Sequence, residues 1–156
     1  MKKRLSMITA RPLFVFLSAL TLGLALSTAK AEQSQDFGDY VAHFIALPTS
    51  FLTPKVATEF KITRSKHRAF LNISMLKKHM GTSGEPVSAR VEANAVNLTG
   101  QARNIPMREV LQGQAIYQLG AFKIHNEETL DFTIEITPRG EDRPYIVKFR
   151  QQFFVD

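Results

Sequence analysis

Three features of the chain predict an all-β fold. Apolar and polar residues alternate with period two in several short segments, the pattern of strands that bury one face. Clusters of Gly, Pro, Asn and Asp recur between those segments, as in sandwiches built from hairpins. Beyond residue 31 no long stretch carries a helical period, so the crossover helices of a βαβ fold are missing.

The chain opens with Lys2, Lys3, Arg4 and Arg11, continues with an apolar run over residues 12–26 (PLFVFLSALTLGLAL), and then reads Ala29-Lys30-Ala31. A charged region, an apolar region and a small-residue A-x-A site in that order form a secretory signal, predicting export and cleavage after Ala31. A retained bilayer span takes about 20 apolar residues. This run is shorter and is broken by Ser18, Thr21 and Gly23. The chain has no Cys, which excludes lipid attachment after the signal, disulfides and thiolate metal sites. The expected product is a soluble periplasmic protein, residues 32–156, forming one domain held by an apolar core.

Export also revises the charge. The whole chain has 20 Lys+Arg against 14 Asp+Glu. Lys2, Lys3, Arg4, Arg11 and Lys30 precede Glu32 and no acid does, so 20 less 5 leaves 15 bases against 14 acids, a net of +1. The basic character of the whole chain is mostly a targeting signal, and nucleic acid is not an expected partner.

Residues 32–36 (EQSQD) are polar and predict a loose start. Residues 37–47 (FGDYVAHFIAL) predict strand one, apolar on both faces and therefore covered on both, and Pro48 ends it. A short helix near 54–60 follows, with Thr53 as N-cap and Pro54 in the first helical position. It is too short to stand alone, and Phe51, Leu52, Val56 and Phe60 are expected to hold it over the β-core. Strand two, residues 68–77, puts Ala69, Leu71, Ile73 and Met75 on one side, with Phe70, Asn72, Ser74 and Leu76 on the other. Strand three places Val87, Ala89, Val91, Ala93 and Ala95 inward. Strand four, 102–111, contains Pro106, which cannot donate a ladder hydrogen bond and so predicts an edge or a bulge. Strand five covers 115–124. Strand six turns Leu130, Phe132, Ile134 and Ile136 inward, and strand seven, 145–155, does so with Tyr145, Val147, Phe149, Phe153 and Val155. About seven strands and one short helix predict an immunoglobulin-like or similar Greek-key sandwich, with a barrel as the second choice.

Four segments, FGDYVAHFIALPTSFLTPKVA, ITRSKHRAFLNISMLKK, NEETLDFTIEITP and RPYIVKFRQQFF, resemble in order and spacing a family of small exported proteobacterial proteins known as domain of unknown function 4426. The resemblance covers essentially all of residues 32–156. It implies a periplasmic protein of sandwich type, with no particular activity and no catalytic or binding residue to carry over.

Catalytic patterns are sparse. His43, His67, His79 and His125 lie in four different segments without the H-x-x-x-H or H-x-H spacing of a metal site. No metal or cofactor is expected. Ser65 stands two residues from His67, but no G-x-S-x-G nucleophile turn is present. Glu127 with Glu128, and Glu141 with Asp142, fall in predicted turns where acids are solvated and poor general acids.

Charge patterning stands out instead. Between Lys55 and Lys78 lie seven bases (Lys55, Lys61, Arg64, Lys66, Arg68, Lys77, Lys78) and one acid, Glu59. Sheet pairing could set Glu127, Glu128, Glu141 or Asp142 beside them. Alternatively the stretch is an open surface for an anionic envelope component or an acidic envelope protein, with Arg64, Lys66 and Arg68 as its contacts. The expected function is a binding or accessory module of the cell envelope, acting through that surface or a sheet edge. An envelope hydrolase that gathers histidines with a carboxylate or serine is the alternative.

Overall fold

The computed structural model describes residues 33–81 and 84–155. The predicted signal segment, 1–31, and its cleavage point lie outside the described residues. The elements in chain order are β1 (Gln33–Asp36), β2 (Tyr40–Pro48), a 3-10 turn (Thr49–Phe51), α1 (Pro54–Glu59), β3 (Arg68–Lys77), β4 (Glu85–Pro86), β5 (Ala89–Asn97), β6 (Ala102–Ile105), β7 (Arg108–Gln112), β8 (Ala115–Lys123), β9 (Glu128–Pro138) and β10 (Tyr145–Phe153).

Two antiparallel sheets make a sandwich. The first has the order β1-β2-β3-β8-β7, with β4 also on β3, and the second has the order β10-β9-β5-β6. Lettering the strands from β2 as A and B, then C and C′ for β5 and β6, and D to G for β7 to β10, gives A-B-E-D facing G-F-C-C′. That is the immunoglobulin order with one C′ strand added. Among the described residues, no helix is long and apolar enough to cross a membrane.

Strand three departs little from expectation, but strand four is really two. Its first half, β6, pairs with β5 in the second sheet, and its second half, β7, pairs with β8 in the first. Pro106 and Met107 make the crossing, where a residue without an N–H gives up no ladder bond. Both halves are edge strands. The polar start expected at 32–36 is also ordered, because residues 33–36 pair with 41–44 as β1.

The crossing presses against Gly120 of β8. A Cβ there would meet Met107 Sδ at 2.4 Å, Ile105 Cγ2 at 2.7 Å and the Pro106 carbonyl oxygen at 2.9 Å. Only a glycine lets the chain change sheets so close to β8.

Facing residues of the two sheets fill the interior. Leu71, Ile73, Leu130, Phe132, Ile134, Ile136 and Val147 are fully buried. Phe132 stacks on its cross-strand neighbour Phe149, with ring centroids 4.6 Å apart and planes 6° from parallel. Phe149 meets Phe44 of the first sheet at 4.9 Å, and Phe122 of the first sheet meets Phe132 edge-on at 5.7 Å.

The alternate residues of the first sheet point away from this core. Val41, His43, Ile45 and Leu47 on β2 are half-buried, while Phe70 on β3 and Leu119 on β8 are buried. The segment of residues 49–67 covers part of that outer face. Thr53 Oγ1 accepts from the Val56 N–H and Pro54 occupies the first helical position, so α1 begins as predicted. At its other end the Lys61 and Ile62 N–H groups return to the carbonyls of Thr58 and Ala57, with Lys61 at φ 51°. This is a Schellman motif with lysine where glycine is usual. Buried Thr49 clasps the end of the segment: its Oγ1 donates to the Ser65 carbonyl and accepts from the Ser65 N–H.

Tyr40 ties β2 to the β9–β10 turn. Its ring is buried and its hydroxyl donates to Glu141 Oε1 at 3.0 Å. Burial first, then the Glu141 carboxylate, holds its pKa above the ordinary tyrosine value. A folded value above the unfolded one makes the stabilisation complete below about pH 10 and lost as pH rises through the folded value.

Two outcomes follow for stability. Gly120→Ala should lower the unfolding free energy by about 1–3 kcal/mol, the usual cost of overpacking, measured by urea denaturation. Between about pH 9 and pH 11, Tyr40→Phe should lose less stability than the parent, because the variant has no phenol to ionise.

Candidate functional site

The register decides where the three expected contact residues go. Arg68 opens β3 opposite Lys123 at the end of β8. Arg64 lies five residues beyond the end of α1, and its Nη2 donates to the Ser50 carbonyl at 3.1 Å. Lys66 is exposed between them.

These residues do not converge on one pocket. Arg64 lines a shallow depression of about 540 Å³ with Pro54, Thr58, Lys61 and Thr63. Arg68 lines another, of about 390 Å³, whose other polar walls are Arg103, Asn104, Lys123 and His125. Lys66 lines neither of the two.

The Arg68 depression gathers three bases, Arg68, Arg103 and Lys123. Like charges directly opposite across an antiparallel pair repel, and Arg68 and Lys123 stand in that position. Arg103 reaches the same depression from the edge of the second sheet. It is neutralised there, because its Nη2 lies 2.5 Å from Glu128 Oε1 and its Nη1 donates to the Lys123 carbonyl. Glu128 also accepts from the His125 backbone N–H through Oε2. No acid among the described residues pairs with Arg68 or Lys123. The arrangement can hold an anion between two cations that otherwise repel each other.

Two of the four acids considered as neutralisers of the basic stretch are used elsewhere. Glu128 serves Arg103, and Glu141 accepts from Tyr40. Of the seven bases from Lys55 to Lys78, Lys78 alone forms an ion pair among the described residues, with Asp36 at 2.6 Å. That contact pulls the Asp36 carboxyl below its ordinary pKa. Lys77 lies over the Tyr40 ring at 5.9 Å, within cation–π range.

The catalytic candidates remain scattered. Ser65 Oγ accepts from the His67 backbone N–H, a local turn bond. His79 Nε2 lies 3.2 Å from Glu85 Oε2, with both side chains about half or more exposed. Among the described residues, no group of three or more His, Cys, Asp or Glu is placed to hold a metal ion.

Lys123 and Arg103 were not legible as site residues, and His125 was considered only as a metal or catalytic candidate. Lys123 reaches Arg68 only through the β3–β8 register, and Arg103 only because the chain stays in the second sheet until Ile105. A basic residue at the end of each of two neighbouring segments was the available signal, and pairing cannot be read from it.

Glu128 is 8% exposed and Arg103 23%, so breaking their pair strands a charge in a partly buried place. Glu128→Gln should destabilise the fold by about 2–4 kcal/mol in urea denaturation. Asp131→Asn, which breaks the exposed pair to Arg150, should cost less than about 1 kcal/mol.

Comparison with known proteins agrees with the fold. The chain is similar to a solved DUF4426 family protein of Pseudomonas aeruginosa, at 35% identity and a TM-score of 0.71, covering 82% of this chain and 98% of that one. It is also similar in fold to FetP of uropathogenic Escherichia coli strain F11, expressed recombinantly in the periplasm, at 12% identity, a TM-score of 0.57 and coverage of 80% and 94%. A copper-bound variant of FetP gives the same TM-score and identity. No curated protein matches the chain. The family described as Domain of unknown function (DUF4426) matches residues 34–156. The chain belongs to the DUF4426 family.

Proposed function

We propose that this protein is an exported accessory or binding module of the cell envelope, working in the periplasm. Its binding surface is the basic face of Arg64, Lys66 and Arg68, extended by Lys123. The partner is an anionic envelope component or the acidic surface of an envelope protein. Neither nucleic acid nor stable membrane insertion has a part in it.

One observation carries this reading: Arg68 and Lys123 oppose each other across β3 and β8 without an acid between them. A fold that spends stability on juxtaposed like charges recovers it when an anion bridges them. The N-terminal signal pattern supports export. The copper of the FetP variant belongs to that protein, and among the described residues no group of three or more His, Cys, Asp or Glu is placed to hold a metal ion.

Retention on dextran sulfate, eluted with salt, tests the surface. Arg68→Ala/Lys123→Ala should bind about tenfold more weakly than the parent, the loss of roughly one charge-assisted contact. Lys55→Ala/Lys148→Ala removes the same net charge elsewhere. Equal weakening by both pairs would show a general charge effect and remove the basis for a site.

A further inference from the structure

The strand ends that carry Arg68 and Lys123 are held on both sides. Past that pair the ladder continues, because the Ile124 N–H donates to the His67 carbonyl at 3.0 Å. On the outer side Arg103 Nη1 donates to the Lys123 carbonyl. Phe122 and Ile124, which flank Lys123 along the chain, are buried.

The His67–Ile124 bond also sets the parity of the ladder. Hydrogen-bonded and non-hydrogen-bonded pairs alternate along antiparallel strands, and side chains stand closer in the second kind. His67–Ile124 is of the first kind, so Arg68–Lys123 and Phe70–Ala121 are of the second. The backbone N–H groups of Ala121 and Lys123 therefore point away from β3. They face the side where β7 has already ended, at the Arg108–Leu119 pair. The Lys123 carbonyl meets Arg103 on that same side, in agreement with the parity. Ala121, Lys123 and Arg68 all line the depression of about 390 Å³. Two side-chain cations and two backbone N–H groups thus border one space.

The charge of that space depends on which groups are already paired. Arg103 is matched by Glu128, which accepts from Arg103 through Oε1 and from the His125 backbone N–H through Oε2. Both oxygens of Glu128 are then occupied. None of the residues lining the depression is an acid. Two unmatched cations remain, Arg68 and Lys123.

We infer that this depression binds a phosphate monoester, an inference that rests on the reading of this face as an anion-binding surface. A monoester is a dianion above its second pKa of about 6, which matches two unpaired cations. A carboxylate or a phosphodiester carries a single charge and leaves one cation unmatched. Three terminal oxygens accept from arginine, lysine and backbone N–H groups together, and the guanidinium fork engages two of them. A cavity of about 150 Å³ accepts benzene, so the depression also admits the carbon skeleton that bears the phosphate.

The test uses the protein purified from the periplasm, at pH 8 and about 20 mM salt, where screening is weak. Isothermal titration compares glycerol 3-phosphate with the diester dimethyl phosphate and with acetate. Glycerol 3-phosphate should bind saturably and about tenfold tighter than the other two. Arg68→Ala/Lys123→Ala should remove that preference, and Lys55→Ala/Lys148→Ala should keep it. Lys123→Glu gives Arg68 an acid across the pair, so it should abolish monoester binding and raise the melting temperature. Flotation with phosphatidylcholine vesicles identifies the source of the phosphate. Capture by vesicles carrying phosphatidic acid, but not phosphatidylglycerol, assigns a lipid headgroup; titration without capture assigns a soluble ester. The inference is overturned if glycerol 3-phosphate shows no saturable binding up to about 10 mM, or if dimethyl phosphate binds equally well. It is also overturned if Arg68→Ala/Lys123→Ala or Lys123→Glu leaves monoester binding intact. Should dextran sulfate retention still fall in Arg68→Ala/Lys123→Ala, the anion-binding face stands and only its monoester specificity is lost.

Discussion

The stacked pair of Phe132 and Phe149 is the contact on which the sandwich depends. Without a cysteine, no disulfide joins the two sheets, and aromatic side chains hold them together. Phe149 reaches Phe44, and Phe132 reaches Phe122, so one stacked pair in the second sheet touches two strands of the first. Phe153 adds edge-on contacts to Phe122 and Phe132 at 5.8 and 6.3 Å. Offset and edge-to-face rings contribute about 0.5–1.5 kcal/mol each beyond their burial. Their geometry also fixes the spacing and angle of the sheets, which pure aliphatic packing leaves looser.

That constraint leaves the outer face of the first sheet to solve its own problem. Its strands carry Val41, Ile45, Leu47, Phe70 and Leu119 away from the core, more apolar surface than an exposed sheet face normally shows. The 3-10 turn and α1 cover it, although α1 has only six residues and could not form in isolation. Tertiary contact and two capping devices sustain it. The cover is anchored at both ends and leaves a groove in the middle, lined in part by Asn72.

Much of the fold was readable because burial imposes period two on a strand. Leu130, Phe132, Ile134 and Ile136 alternate without interruption and are all fully buried. Ala69, Leu71, Ile73 and Met75 behave likewise, and the Thr53-Pro54 pair marks the start of α1 where expected. The failure came at Pro106. Alternation runs through Ile105 and Met107 as though one strand continued, and a proline predicts an edge without saying which sheet. The switch between sheets depends on the space that Gly120 leaves, and Gly120 lies far along the chain. Arg68 was legible as a candidate, but not its partner.

From its sequence alone the chain determined its class, most of its strands and the absence of disulfides, because these follow from local composition and period. It also determined that positive charge is concentrated before residue 79. Tertiary structure decided how that charge is used. Antiparallel register set Lys123 against Arg68, gave Glu128 to Arg103, and kept Arg64 and Arg68 in separate depressions. It likewise left the Oδ1 of Asn72, one polar residue on a strand, buried without a hydrogen-bond donor. A register couples residues that are distant along the chain through backbone hydrogen bonds, and those bonds carry no mark in the side-chain pattern.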